Sequence, residues 1–256
     1  MNKTPENSQH YKGILIEWYD RLLLEEKEDI KLYSELICKS DQPVLELACG
    51  TGRLMLEFLK SGIDIDGVDC SNEMLNKCKE KGKEFGLKPN IYLQKMEELS
   101  LKRKYKTIFI SGGSFQLIDS SEKAIKTLQK IYKHLENNGK FVLDINIPWD
   151  EIKANKEGLW EETRSSENKE ENTRFVVLQT SIFDFKNQLK IITYKYELYK
   201  DNKIVSSELD TINLKWYSVN EFILMLEKAG FKNIKTYDKK IFSAHTHTTV
   251  FEAYKL

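Results

Sequence analysis

The chain has 256 residues, which is enough for one or two domains with a sizeable hydrophobic core. Its 40 basic and 40 acidic side chains cancel, so no overall field favours nucleic acid or an anionic membrane as a partner. No stretch approaches the roughly 18 apolar residues of a spanning helix, and the polar N-terminus lacks the pattern of a secretory signal. These features predict a cytoplasmic protein, with no membrane partner, that binds its ligand through local contacts.

The first half of the chain alternates strand-like and helix-like segments. Residues 11–38 have apolar side chains at helical spacing and predict one long or two short amphipathic helices. A short apolar strand, a glycine-rich turn and a helix follow Pro43, and the pattern repeats from residue 63. Further strands are predicted at 91–93, 107–110 and 140–147, with a helix at 121–135. This alternation predicts an α/β fold with a parallel sheet and helices on both faces.

The pattern changes after Pro148. An acidic stretch at 150–172 predicts an exposed loop or lid, and three strands joined by short connections predict an antiparallel meander. A helix at 218–229 and two strands then return to the first pattern. We therefore divide the chain into N-terminal helices at 1–42, an α/β core at 43–148 and 217–256, and an inserted β lid at 149–216.

The turn after the first strand is the part of the sequence that indicates chemistry. Small residues at 48, 50 and 52 let the backbone turn sharply and let a ligand approach it, and a helix N-terminus follows. The next strand ends at Asp69, whose two carboxylate oxygens suit the vicinal hydroxyls of a ribose. Together with segment 94–99, these residues predict a groove for a nucleoside across the carboxyl ends of the strands.

These motifs resemble those of the class I S-adenosylmethionine-dependent methyltransferases. Residues 46–52 (Glu-Leu-Ala-Cys-Gly-Thr-Gly) are similar to the family's glycine-rich first motif, with Ala48 in place of its first glycine. Residues 69–75 (Asp-Cys-Ser-Asn-Glu-Met-Leu) are similar to its second-strand motif. Tyr19-Asp20, the meander and residues 138–146 resemble the subgroup that acts on small molecules, which includes the sugar N-methyltransferases.

The resemblance implies a Rossmann-like methyltransferase sheet that binds S-adenosyl-L-methionine and releases S-adenosyl-L-homocysteine. It implies methyl transfer to a nitrogen or oxygen of a small-molecule acceptor, with Tyr19 and His245 as the catalytic candidates. The residues expected to bind the cofactor are Tyr19, Glu46, Ala48, Cys49, Gly50, Gly52, Arg53, Asp69, Cys70, Met74, Met96, Glu97 and Ser111.

Other functions remain open at this stage. A non-catalytic cofactor-binding or interaction module would keep the same sheet. An NAD-dependent dehydrogenase would need G-x-G-x-x-G, whereas the turn reads A-x-G-x-G. His245 and His247 alternate on a strand without an evident third ligand, so no metal is expected.

Trp160, Tyr217 and His247 are further candidates for a base or acceptor anchor. A homodimer through the inserted strands, with Tyr194 and Tyr196 at its interface, is also predicted.

Overall fold

The computed structural model describes residues 11, 13–23, 28–37, 41–239 and 248–256, which build one seven-stranded and one four-stranded sheet. The helices are α1 Ile14–Leu22, α2 Glu28–Leu36, α3 Arg53–Lys60, α4 Asn72–Glu84, α5 Ser121–His134, α6 Trp149–Ala154 and α7 Val219–Ala229. The strands are β1 Val44–Leu47, β2 Ile65–Asp69, β3 Asn90–Leu93, β4 Tyr105–Ile110, β5 Leu135–Asn146, β6 Glu161–Asn168, β7 Thr173–Asp184, β8 Leu189–Lys200, β9 Lys203–Lys215, β10 Lys232–Lys239 and β11 Thr248–Tyr254. No helix in these described ranges has the length and apolar character needed to cross a membrane.

The seven-stranded sheet has the order β10-β11-β5-β4-β1-β2-β3. The five strands from β5 to β3 run parallel, β11 pairs antiparallel with β5, and β10 pairs antiparallel with β11 and so runs in the same direction as the other five. Because β1 lies between β2 and β4, the carboxyl ends of these three strands meet at one edge of the sheet. The predicted α/β fold with a parallel sheet is confirmed.

Both faces of the central strands β1 and β4 are buried, which explains their mainly apolar sequences. Leu45 and Leu47 of β1 face a core formed with α5 and α7. Val44 faces the opposite core, which contains side chains of α2 and α3. The helices on both faces hold β1 and the turn after it in place.

The four-stranded sheet is antiparallel, with the order β6-β7-β8-β9. Three strands were predicted here, and the structure corrects this to four by placing β6 and the short helix α6 within the predicted loop at 150–172. β6 is an edge strand whose side chains are exposed or half-buried, so the apolar alternation that marks a strand is absent from Glu161–Asn168. The division of the chain into three parts remains a prediction.

Helix α1 packs against the four-stranded sheet. The ring of Trp18 stacks on Phe175 of β7, with ring centroids 5.5 Å apart. Leu15 and Tyr196 belong to the same buried cluster. The N-terminal helix and the second sheet therefore form one layer above the carboxyl ends of β1, β2 and β4.

Candidate active site

Two adjoining cavities lie at the carboxyl ends of the parallel strands. The larger has a volume of about 470 Å³, within the range typical of small-molecule sites, and the smaller has about 160 Å³. Tyr19, Ala48 and Gly50 line both of them. The two cavities are therefore compartments of one cleft, which meet at the turn after β1.

The turn after β1 adopts left-handed backbone conformations that favour glycine. Ala48 has φ 58° and Gly50 has φ 54°, so the chain reverses sharply before α3 begins. A Cβ added to Gly50 would have no described atom within 4 Å, since this position faces the open cleft. The backbone here is accessible to a ligand, as the small residues of the motif predict.

Asp69 closes the opposite wall of the smaller cavity. The Gly50 amide donates to its Oδ2 at 2.8 Å, and the Ser71 amide donates to its Oδ1 at 2.8 Å. Burial raises the pKa of Asp69, and these backbone donors partly oppose that rise. Each carboxylate oxygen retains a second acceptor direction for a ligand hydroxyl.

The smaller cavity is also lined by residues from three other segments, at 70–74, 94–97 and 114–123. Ser71 caps α4 by accepting from the Met74 amide at 3.2 Å, which fixes the start of that helix. The predicted cofactor-binding residues that line this cavity are Asp69, Cys70, Met74, Met96 and Glu97, with Tyr19, Ala48 and Gly50 at its boundary.

Glu46 and Arg53 lie on the wall of the larger cavity below the turn. Glu46 is 2% exposed, and its Oε2 has no hydrogen-bond partner among the described residues. Burial raises the pKa of Glu46 well above its ordinary value, and the positive charge of Arg53 opposes this. Arg53 forms a two-pronged ion pair with the fully buried Asp29 of α2, in which Nη1 donates to Oδ1 at 2.8 Å.

The far wall of the larger cavity combines a loop of the core with the second sheet. Ser111, Gly112 and Gly113 follow β4, and Asp144 fixes the loop by accepting from the Gly112 amide at 2.9 Å and the Gly113 amide at 2.7 Å. The second sheet contributes one face of its three longest strands. These lining residues are Val177 and Gln179 of β7, Lys190, Ile192, Tyr194 and Tyr196 of β8, and Ile212 and Leu214 of β9.

Several predicted positions lie away from the cleft. Gly52 is the N-cap of α3 and lines neither cavity; a Cβ at this position would collide with the sulfur of Cys78, so the glycine allows close packing against α4. Tyr217 is fully buried in the core beside Phe222, and Trp160 is 48% exposed outside the cavities. His245 and His247 lie outside the described residues.

Other cleft residues were not predicted, or were predicted for another role. Tyr194 and Tyr196 line the larger cavity, and their predicted second role at a subunit interface remains a prediction. Even-numbered residues 190–196 share one face of β8, so the alternation that identified the strand also marked a common face. Tyr11, Gln116 and Arg164 line the cleft from segments that carry no recognisable motif.

Comparisons with known proteins identify the domain that holds this cleft. Residues 44–139 match the family described as Methyltransferase domain. This match identifies residues 44–139 as a methyltransferase domain, and the chain as a whole has the class I methyltransferase fold. The predicted methyltransferase class and cofactor are confirmed for this domain.

Similar proteins include methyltransferases and a related synthase. The carboxy-S-adenosyl-L-methionine synthase of Campylobacter lari is 24% identical over 214 residues, which cover 82% of this chain and 79% of that protein. The glycine/sarcosine N-methyltransferase of Aphanothece halophytica is 30% identical over 132 residues, 51% of this chain and 49% of that protein.

Solved methyltransferase structures share the whole fold. An S-adenosylmethionine-dependent methyltransferase from Clostridium acetobutylicum ATCC 824 has a TM-score of 0.74 and 21% identity, covering 93% of this chain and 96% of the other. The sugar N-methyltransferase KedS8 from Streptoalloteichus sp ATCC 53650 has a TM-score of 0.76 and 15% identity, covering 100% and 98%. The predicted Rossmann-like methyltransferase sheet with an added antiparallel sheet is confirmed.

Proposed function

We propose that this methyltransferase transfers a methyl group from S-adenosyl-L-methionine to a nitrogen or oxygen of a small-molecule acceptor. The observation that carries the proposal is the division of the cleft. The smaller cavity holds the residues expected to bind a nucleoside, and the larger one extends from the same turn under the second sheet. The larger cavity, of about 470 Å³ beneath a covering layer, would hold the amino acid end of the cofactor together with the acceptor, which suits a small acceptor better than a polymer.

The residues of the cleft fit the cofactor. Asp69 would accept hydrogen bonds from the ribose hydroxyls, with Met74 and Met96 against the adenine ring. Gly50 leaves space for the cofactor at the turn. The unpartnered Oε2 of Glu46 would accept from the ammonium group of the cofactor, and Arg53 would approach its carboxylate.

The chemistry requires alignment more than a reactive side chain. The bound cofactor would supply a methyl group on a sulfonium; the acceptor nitrogen or oxygen would attack the methyl carbon in line with the carbon–sulfur bond, and S-adenosyl-L-homocysteine would leave. Correct placement of the two reactants alone can lower the activation barrier of such a reaction by about 7 to 11 kcal/mol. Burial raises the pKa of Tyr19 to about 12, so its phenol is neutral near pH 7 and donates a hydrogen bond instead of acting as a base. We therefore assign Tyr19 to acceptor positioning, and His245 remains the candidate base.

Cofactor binding and turnover test the proposal separately. Calorimetry should detect binding of S-adenosyl-L-methionine and S-adenosyl-L-homocysteine, with no comparable binding of NAD. A panel of amino sugars, amino acids and small alcohols, read by mass spectrometry, should then contain an acceptor that gains a methyl group. Cofactor binding without transfer to any member of an extended panel would contradict the small-molecule assignment.

A second candidate function is synthesis of carboxy-S-adenosyl-L-methionine. The synthase of Campylobacter lari aligns with 82% of this chain, well beyond the methyltransferase domain, and the alignment therefore extends into the region that forms the second sheet. Mass spectrometry distinguishes the two activities, because this reaction would yield a cofactor that has gained a carboxyl group. A methylated acceptor without such a product favours methyl transfer.

The remaining expectations belong to this proposal. We infer a cytoplasmic enzyme that acts on neither nucleic acid nor membrane. The balance of 40 basic and 40 acidic residues supports that inference.

A homodimer through the inserted strands would use the outer face or an edge of the second sheet, since the inner face lines the cavity. Light scattering of the purified protein measures the oligomeric state.

A further inference from the structure

Helix α2 carries two buried polar side chains on one face. Asp29 and Tyr33 are four residues apart, which places them one helical turn apart on the same side. Both are completely buried, beside apolar side chains such as Leu32. Burial of a carboxylate and a phenol is unfavourable unless both form good hydrogen bonds, so the partners of these two residues indicate what the helix does.

The partner of Asp29 lies at the cofactor end of the cleft. Arg53 binds both carboxylate oxygens of Asp29, and the Ile30 amide donates to Oδ1 at 2.7 Å. Burial lowers the pKa of Arg53, but the bond with Asp29 outweighs this and the pKa lies above its ordinary value. The guanidinium is therefore held charged and in one orientation where it lines the larger cavity.

The partners of Tyr33 lie at the acceptor wall. Its hydroxyl is 2.6 Å from Asp144 Oδ1 and 2.7 Å from the carbonyl oxygen of Ile110. The same carboxylate accepts the amides of Gly112 and Gly113, which line the larger cavity. Tyr33 thus reaches the loop after β4 through Asp144.

We propose that α2 couples the two ends of the cleft, with Asp29 and Tyr33 as positioning residues for the cofactor site and the acceptor wall. This inference rests on the proposed function, because it assigns the two ends to cofactor and acceptor. One rigid helix then fixes the distance between Arg53 and the loop at 111–113. Occupation of the cofactor site stabilises the acceptor wall through the turn between Asp29 and Tyr33.

The chain offers a matched control for Tyr33. The hydroxyl of Tyr105, also fully buried, donates to the buried Asp66 at 2.7 Å. Neither residue lines either cavity. Tyr105→Phe therefore removes a hydrogen bond of the same chemistry and burial at a place that is remote from the loop at 111–113, and it reports the structural effect alone.

The experiment compares the wild type with Asp29→Asn, Tyr33→Phe and Tyr105→Phe. Calorimetry gives the Kd of S-adenosyl-L-homocysteine, and hydrogen exchange gives the protection of the Gly112 and Gly113 amides with and without it. We expect Asp29→Asn to raise the Kd about tenfold, and Tyr33→Phe to change it by no more than about twofold. We expect Tyr33→Phe to speed exchange of both amides about tenfold, with no such change in Tyr105→Phe.

The coupling itself is read from the effect of the ligand. S-adenosyl-L-homocysteine should slow exchange at Gly112 and Gly113 in the wild type and in Tyr105→Phe, and much less in Asp29→Asn. If Asp29→Asn does not fold, Arg53→Lys serves instead, because lysine keeps the charge but not the two-pronged geometry.

The possible results distinguish failure of the coupling from failure of the proposed function. Equal exchange at the loop in Tyr33→Phe and Tyr105→Phe, or full ligand protection in Asp29→Asn, would overturn the coupling alone. Ligand binding and coupling without methyl transfer would overturn the proposed function alone. No ligand binding by the wild type would overturn both.

Discussion

Two aspartates of β2 have different surroundings because of their positions in the strand. Asp66 lies inside β2, where Tyr105 donates to it at 2.7 Å and Asn90 at 2.9 Å. Asp69 ends the strand, accepts from two backbone amides and lines the smaller cavity. The sequence predicts this difference, since only a residue at the end of a parallel strand reaches the cleft.

Asp69→Ala should weaken cofactor binding by about 1.5 to 3 kcal/mol, because it removes charge-assisted hydrogen bonds to two hydroxyls. Asp66→Ala should mainly lower the free energy of unfolding, because it leaves the buried Tyr105 hydroxyl without its acceptor. Calorimetry with S-adenosyl-L-homocysteine and chemical denaturation of both variants provide the comparison. Equal dissociation constants would contradict the assignment of Asp69 to the ribose.

Substitutions at positions 48 and 50 of the left-handed turn should have opposite effects on the free energy of unfolding. Ala48→Gly should raise the free energy of unfolding by up to about 1 kcal/mol, because glycine adopts the left-handed conformation of residue 48 without strain. The greater flexibility of glycine in the unfolded chain partly offsets this gain. Gly50→Ala should destabilise it and also weaken cofactor binding, because the new methyl group enters the open cleft. Denaturation curves and binding calorimetry measure both effects. An unchanged Kd for Gly50→Ala would show that the cofactor does not approach this backbone.

At the scale of elements, periodicity predicts the core better than it predicts the cleft. β1 and β4 are buried on both faces and have mainly apolar sequences, so their positions follow from the pattern. β6 is polar and is stabilised by pairing with β7 instead of burial, so no local signal marks it. The inward direction of Tyr194 depends on how the second sheet sits over the first, and this is a tertiary property.

Gln116 joins the two sheets at the larger cavity. Its Nε2 donates to the carbonyl oxygens of Asn146 at 2.8 Å and Lys215 at 3.0 Å, and its Oε1 accepts from the Asn146 amide at 2.7 Å. Asn146 ends β5 and Lys215 ends β9, so one buried side chain connects the core with the sheet that covers it.

Gln116→Met keeps the length of the side chain and removes all three bonds. We expect it to lower the free energy of unfolding by about 1 to 3 kcal/mol and to reduce methyl transfer, with the Kd of S-adenosyl-L-homocysteine nearly unchanged. Gln188→Met is the control, because Gln188 donates to Glu221 at 2.9 Å and lines neither cavity. A proportional loss of cofactor binding in Gln116→Met would refute a role confined to the acceptor side.

At the scale of the whole molecule, three buried acids in or next to the walls of the cleft have raised pKa values. Burial raises the pKa of Glu46, Asp69 and Asp144, and that of Asp144 reaches about 6. The folded protein therefore binds more protons than the unfolded chain between the ordinary carboxyl pKa of about 4 and these raised values. The cluster destabilises the protein without its ligand when the acids ionise.

The free energy of unfolding of the ligand-free protein should fall as pH rises from about 4 through about 6. For Asp144 alone, the rise from 3.8 to about 6 corresponds to about 3 kcal/mol. Asp144→Asn should flatten this part of the profile. Chemical denaturation at a series of pH values measures it, and stability that rises across this window would contradict the raised pKa values.

Cofactor affinity should show the opposite trend with pH. An ionised Glu46 attracts the ammonium group of S-adenosyl-L-homocysteine, whereas a protonated Glu46 does not, so the Kd should fall as pH rises. Glu46→Gln should weaken binding and remove most of this dependence, because the amide carries no charge. Calorimetry across the pH range decides, and an unchanged slope in Glu46→Gln would assign the dependence to another group.

The two compartments of the cleft are encoded largely by separate stretches of chain. The turn, Asp69 and the smaller cavity come mainly from residues 44–139, whereas one uninterrupted run, residues 161–216, supplies the covering strands of the larger cavity. Under the proposed function, substitutions on the inner face of β8 would change which acceptor is methylated without changing the source of the methyl group. Over evolutionary time, the acceptor would diversify in one segment while the cofactor motifs stay constant in the other.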